Sequence, residues 1–266
     1  MKKIFYLGIL LSVLYCKEVN ETKWLQSGTI QLTKPLIDAN STIIDSSVTL
    51  SSSLRLEGAE IYYTNNGDEP TKESILYNGP FQISEAGLYK FKAFHSDWKA
   101  SETAIIELVN KGLDVDSIYW HTPLKKPYPG QGEWTVVNHE KGTLDYKDPN
   151  WVGMDSVIMA DVFFKEPTVV SSANIGYLES TGAWIFPPEE VQILRSYDGV
   201  SFSNLIEMKL ETPLNNDNSG LKNISLKVEG EVLALRIIIK NKSIIPEWHP
   251  AKGNAAWLFT DEWIFY

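Results

Sequence analysis

Cysteine is nearly missing from this chain: among 266 residues Cys16 is the single thiol. The absence of any thiol beyond that position excludes disulfides and cysteine-ligated zinc. Basic residues are scarce as well, 24 Lys and Arg against 34 Asp and Glu, for a net charge of −10. No Lys/Arg run follows the first residues, so the basic stripe required by a phosphate backbone is lacking and nucleic acid is not expected as a partner. There is no Gly-x-Ser-x-Gly elbow, and His95, His121, His139 and His249 show no metal-ligand spacing. Serine-hydrolase and histidine-metal chemistry therefore have no signature here. From Pro35 to Val109 no stretch reads as a long amphipathic helix.

The N-terminus has a clear pattern. Lys2 and Lys3 precede the almost wholly apolar Ile4–Tyr15, Cys16 follows, and the chain turns polar at once. Twelve residues are too few to span a bilayer and suit the apolar region of a signal peptide. A cysteine closing that stretch resembles the bacterial lipoprotein signal, in which the thiol is acylated and becomes the mature N-terminus. Tyr15 stands where that signal expects a small residue. The alternative is an ordinary secretory signal with a chance cysteine. The resemblance implies a signal at 1–16, lipidation at Cys16, a tether at 17–35, and membrane attachment through the lipid anchor only. The protein is then expected in the bacterial cell envelope, at the outer membrane or cell surface.

Downstream the pattern is β throughout. Leu88–His95 alternates apolar and polar residues, with Leu88 out of phase. Ile61–Pro70 runs into Asn66-Gly67, a dipeptide that favours the left-handed angles of a tight hairpin turn. Gly79-Pro80 and Ala86-Gly87 supply further turns, and Asn110, Lys111 and Gly112 make a boundary. Beyond it, β-runs occupy Ser156–Phe164, Val169–Tyr177, Glu190–Ser196, Leu233–Lys240 and Ala256–Phe265. Turn-rich residues such as 215–220 separate them, and long aromatic-bearing loops span 120–155 and 243–255. Loops of that length are functional or specially anchored.

Two family resemblances rest on these segments. Tyr63, Thr64, Gly67, Pro70, Leu76, Tyr77, Gly79, Pro80, Ser101 and Glu102 fit the pattern of the chitobiase/β-hexosaminidase C-terminal domain. That resemblance implies an immunoglobulin-like β-sandwich at 36–110 whose motif residues serve turns and packing. GYLESTGAWIFPPEEVQILRSYDGVSF at 176–202 and PEWHPAKGNAAWLFTDEWI at 246–264, with Gly142, Trp151 and Gly153, carry the second. They resemble the C-terminal region of bacterial family 20 exo-β-N-acetylhexosaminidases. The implied fold at 113–266 is a discoidin-like jelly-roll sandwich, of the coagulation factor type C, galactose-binding-like kind. The catalytic barrel of such an enzyme needs about 250 residues of its own, which leaves an all-β, two-module accessory protein without the catalytic part. One departure is Glu140-Lys141-Gly142, where the relatives carry Asp-Gly.

The expected function follows. Glycoside hydrolysis needs two suitably spaced carboxyl groups, the substrate itself taking the part of one of them in the family resembled. The Asp-Glu pairs at 68–69 and 261–262 lie in a turn and a terminal strand, so neither is expected to be catalytic. The resemblance implies a structural Ca²⁺ between an early loop and the last strand. Glu140, Asp145 and Glu262 are its candidate ligands, beside Asn138, Thr143 and Asp148. Sugar recognition by such modules packs an aromatic face on a pyranose. The carbohydrate-binding candidates are Trp184, Trp248, His249, Trp120 and Trp134, with Tyr128, Asn150, Glu179 and Arg195 nearby. Trp151, Trp257 and Trp263 read as core. A non-catalytic glycan-binding lipoprotein is the leading expectation, with galactose or N-acetylhexosamine as first targets. The alternatives are a protein–protein docking or adhesion module, and an accessory protein classed with the hexosaminidases by its tail.

Overall fold

The computed structural model describes residues 30–215 and 219–266. The signal segment, Cys16 and most of the tether lie outside them. Among the described residues there is no α-helix, and none is long and apolar enough to cross a membrane. The chain is all-β, built as two successive sandwiches.

The first sandwich comprises β1 (Leu36–Ala39), β2 (Ile43–Ile44), β3 (Val48–Ser53), β4 (Glu60–Thr64), β5 (Ile75–Leu76), β6 (Phe81–Ile83), β7 (Gly87–Phe94) and β8 (Ala104–Asn110). A three-stranded sheet, β1-β3-β6, faces a five-stranded one, β2-β8-β7-β4-β5. The alternation in β7 buries Tyr89, Phe91 and Ala93 and leaves Leu88 exposed, which accounts for its phase in the sequence. Tyr63 stacks on Phe81 and Phe91 at 4.9 and 5.4 Å between centroids. Gly67 does take a left-handed φ of 81°. The pairing of Tyr63 with Ile75, however, makes 65–74 a wide loop instead of a tight hairpin.

The second sandwich is organised by one long ribbon. Strands β11 (Ile158–Glu179) and β14 (Gly220–Lys240) pair antiparallel from Ile158↔Ile239 to Glu179↔Gly220. Their register shifts between Phe163 and Thr168 and again between Val170 and Ser172. Pro167, which has no N–H to donate, lies in the first break. Glu229, opposite the second, has a φ of 45°. The ribbon bends there, so the two apparent strands at 156–164 and 169–177 are one strand that serves both layers. Its first layer adds β9 (Ser117–Trp120), β12 (Glu190–Ser196) and β13 (Ser203–Lys209), and its second adds β15 (Leu258–Phe265) and β10 (Val152–Met154). Val162, Val170, Ile175, Ile193, Val232, Ile237, Trp263 and Phe265 fill the space between. The linker lies against the last strand: Leu113 N–H donates to Phe265 O at 2.7 Å, and a Cβ on Gly112 would stand 2.5 Å from that same oxygen.

Candidate functional site

An aromatic depression opens where the loops after β11 and before β15 meet the loop ahead of β10. Trp184 closes a single 3₁₀ turn, Thr181–Ala183, in the left-handed conformation with φ of 66°. Its backbone is held from both sides, N–H to Thr181 O at 2.8 Å and C=O from Trp257 N–H at 2.8 Å. The residue nevertheless remains 40% exposed. Tyr128 stands across from it, edge-on to Trp257 at 5.4 Å and 4.9 Å from Phe259. Gly153 permits this approach, since its Cβ would fall 2.8 Å from Tyr128 Cβ and 2.7 Å from the Phe259 ring. Tyr146 closes the other side at 6.0 Å from Tyr128. Trp151, Leu178, Ile185 and Phe259 form the buried floor. The depression holds about 340 Å³ and is lined by Tyr128, Tyr146, Trp184, Ile185, Trp257 and Phe259. That volume lies at the small end of ligand pockets, and its aromatic faces with phenolic hydroxyls suit a pyranose ring better than an ion.

The residues expected from sequence are placed as follows. Trp184 is at the rim of the depression, and Tyr128 is in its wall. Trp120 belongs to β9, its indole N–H donating to Glu133 O at 2.9 Å and its ring 6.0 Å from buried Trp263. Trp134 is 48% exposed on the short 3₁₀ helix Glu133–Val137, off the lining of the depression. Trp248 donates its indole N–H to Pro213 O at 2.8 Å and packs with Phe186 and His249. His249 is 5% exposed, and its Nδ1 accepts from Ala251 N–H at 3.0 Å. These two brace the 243–255 loop as part of a separate small cluster with Ile245 and Ala256. Glu179 belongs to another depression, beside Tyr177, where burial pushes its carboxyl above the usual value. Trp151 and Trp263 are core, 1% exposed each, whereas Trp257, also read as core, reaches the depression. Tyr146 escaped notice altogether; its place in the long early loop was the available signal.

The carboxylate pairs have structural settings. Glu69 accepts from Lys92 Nζ at 2.6 Å and from the Thr103 hydroxyl. Asp261 and Glu262 are buried in a bulge: Ile175 pairs with Trp263 and Tyr177 with Thr260, so the single Gly176 faces both acids. Glu262 Oε2 accepts from His139 N–H at 3.0 Å, and Asp261 Oδ2 from Gly142 N–H at 3.1 Å. Burial pushes both carboxyls up, Glu262 to about 8.

Calcium requires six to eight oxygen ligands. Backbone N–H groups reach one oxygen of each carboxylate, with the Lys141 ammonium 3.6 Å from Asp261 Oδ2, whereas Asp261 Oδ1 and Glu262 Oε1 are buried without a hydrogen-bond partner. Glu140 is exposed and accepts from Gln131 Nε2 at 3.1 Å, while exposed Asp145 accepts from Lys147 N–H at 3.0 Å. Among the described residues no three Asp, Glu, His or Cys side chains converge on one point.

Comparison with known proteins adds the following. Residues 39–105 match the family described as the chitobiase/beta-hexosaminidase C-terminal domain. No curated protein matches the chain. Among solved structures, CpGH89CBM32-5 from Clostridium perfringens, in complex with GalNAc-β-1,3-galactose, is 11% identical with a TM-score of 0.38, over 56% of this chain and 94% of that one. The C-terminal domain of a chitobiase from Bacteroides fragilis is 10% identical with a TM-score of 0.37, over 58% and 96%. A SusE-like protein is 12% identical with a TM-score of 0.38, over 86% and 95%.

Proposed function

We propose that this chain is a non-catalytic carbohydrate-binding protein of the bacterial cell envelope, and that its second sandwich takes sugar in the depression beside Trp184. One observation carries the reading: a tryptophan whose backbone is bonded on both sides, yet whose ring stands open to solvent above an aromatic floor. A pyranose offers an apolar face of C–H groups that packs on such a ring. Because the backbone is fixed beforehand, little conformational entropy remains to be lost on binding, which favours a weak ligand with few atoms. Glycans ending in galactose or N-acetylhexosamine are the first ligands to try.

The envelope part of the proposal rests on Lys2, Lys3, the apolar Ile4–Tyr15 and Cys16. Cell fractionation of the Cys16→Ser variant tests it, with release from the membrane fraction expected and full retention there contradicting it. The non-catalytic part rests on Glu69 being paired and on Asp261 and Glu262 being buried within the sandwich. Turnover of an aryl N-acetylglucosaminide above background would contradict it. For the binding itself, the soluble Cys16→Ser chain on a glycan array is expected to be retained on a subset of terminal galactosides or N-acetylhexosaminides. Retention on none would overturn the reading.

A further inference from the structure

We propose that Lys141 is the resident cation of the second sandwich, and that its ammonium joins the early loop to β14 and to the terminal strand without a metal ion. The ammonium bridges the two strands that flank β11. It lies 3.0 Å from Asn223 Oδ1 on β14 and 3.6 Å from Asp261 Oδ2 on β15. Between those strands runs β11, where Gly176 pairs with Asn223 and faces the Asp261–Glu262 bulge. A Cβ on Gly176 would fall 1.7 Å from Asp261 Oδ1 and 2.9 Å from Lys141 Nζ. The missing side chain is therefore the space in which this ion pair sits. The Lys141 side chain is 10% exposed and that of Asp261 1%, which makes it a buried pair screened little by solvent.

A divalent ion at the Asp261 carboxylate would confront that ammonium at close range and displace the amide donor of Gly142. Leaving Lys141 buried against a like charge is the costly arrangement. The lysine and a metal are alternatives.

The network extends outward from Lys141. Asn223 Nδ2 donates to Glu107 Oε2 on β8 of the first sandwich at 3.3 Å. His139 Nε2 meets Asp114 Oδ1 at 2.9 Å, and Asp114 also pairs with Lys111 of the linker at 2.9 Å. On its other side Lys141 leads directly into Gly142, whose Cβ would be 2.2 Å from the Trp151 ring, and Trp151 donates to Thr143 O at 2.9 Å. Lys141 thus fixes the early loop to the sheet, and its partner Asn223 carries the contact to the neighbouring sandwich.

Thermal melting of the Cys16→Ser chain tests this with no sugar present, so its outcome is independent of the binding site. The wild-type melting temperature is expected to be unchanged by a chelator and by added calcium. Lys141→Met, which keeps the stem and removes the charge, is expected to lower it by about 5 °C or more. Should that variant fail to fold, Asn223→Ala, which removes one partner of the ammonium, is expected to give a smaller fall that also ignores chelator. A wild-type transition that drops with chelator or rises with calcium would overturn the proposal, as would a Lys141→Met chain as stable as the parent.

Discussion

Trp184 stands at the rim of the depression and Trp151 in its buried floor. Trp151 is 1% exposed with its N–H satisfied, so Trp151→Ala should cost about 3–5 kcal/mol in denaturant unfolding. Trp184→Ala should change stability by no more than about 0.5 kcal/mol. Trp248 is the intermediate case. Its loop position between Pro246 and Pro250 resembles that of a presented ring, yet its N–H is held by Pro213 O and its face by Phe186. Trp248→Ala should therefore register chiefly as lost stability. A sequence displays all three as aromatics near turns, because whether an indole N–H finds a carbonyl far along the chain depends on packing. Asp161 gives the pH test at this scale. Burial works to raise its carboxyl, but hydrogen bonds from Arg236 at 2.6 and 2.8 Å and from His121 at 2.9 Å outweigh it and hold it below the ordinary 3.8. A depressed carboxylate stabilises the fold above its unfolded value and loses that contribution as pH falls. Asp161→Asn should cost about 3 kcal/mol near neutrality, and the gap from wild type should narrow in melting curves taken below pH 3.8.

At the scale of elements, the β class was legible from period-two alternation, and the ribbon was not. Ser156–Phe164 and Val169–Tyr177 read as two strands because Lys165, Glu166 and Pro167 interrupt the apolar pattern; the bend at that interruption carries one strand from layer to layer. The first half of β14 was missed although Ile224, Leu226 and Val228 alternate with exposed neighbours, since short apolar residues among Lys, Asn and Ser give a weak signal. The bulge opposite Gly176 was beyond sequence altogether, because it is defined by pairing between distant strands. It makes a sharp prediction. Gly176→Ala places a methyl carbon 1.7 Å from a carboxylate oxygen that is itself buried. The variant should fall by at least about 3 kcal/mol in denaturant unfolding, or fail to fold.

At the scale of the molecule, two sandwiches joined by a docked linker present an aromatic depression with the Lys141 ion pair beside it. The two-part organisation was readable from turn dipeptides and motif residues. Of the residues lining the candidate depression, Trp184 and Tyr128 are binding candidates from sequence alone; Tyr146 and Trp257 join them only when the early loop folds over the entry to the last strand. The central claim is that sugar binds at that convergence. It is tested most directly by titrating the strongest array ligand into the purified protein and its Trp184→Ala variant in a calorimeter, with melting curves on both. The account predicts a loss of affinity of about tenfold or more at an unchanged melting temperature. Equal affinity in the two proteins, or a loss that appears only alongside unfolding, would contradict it.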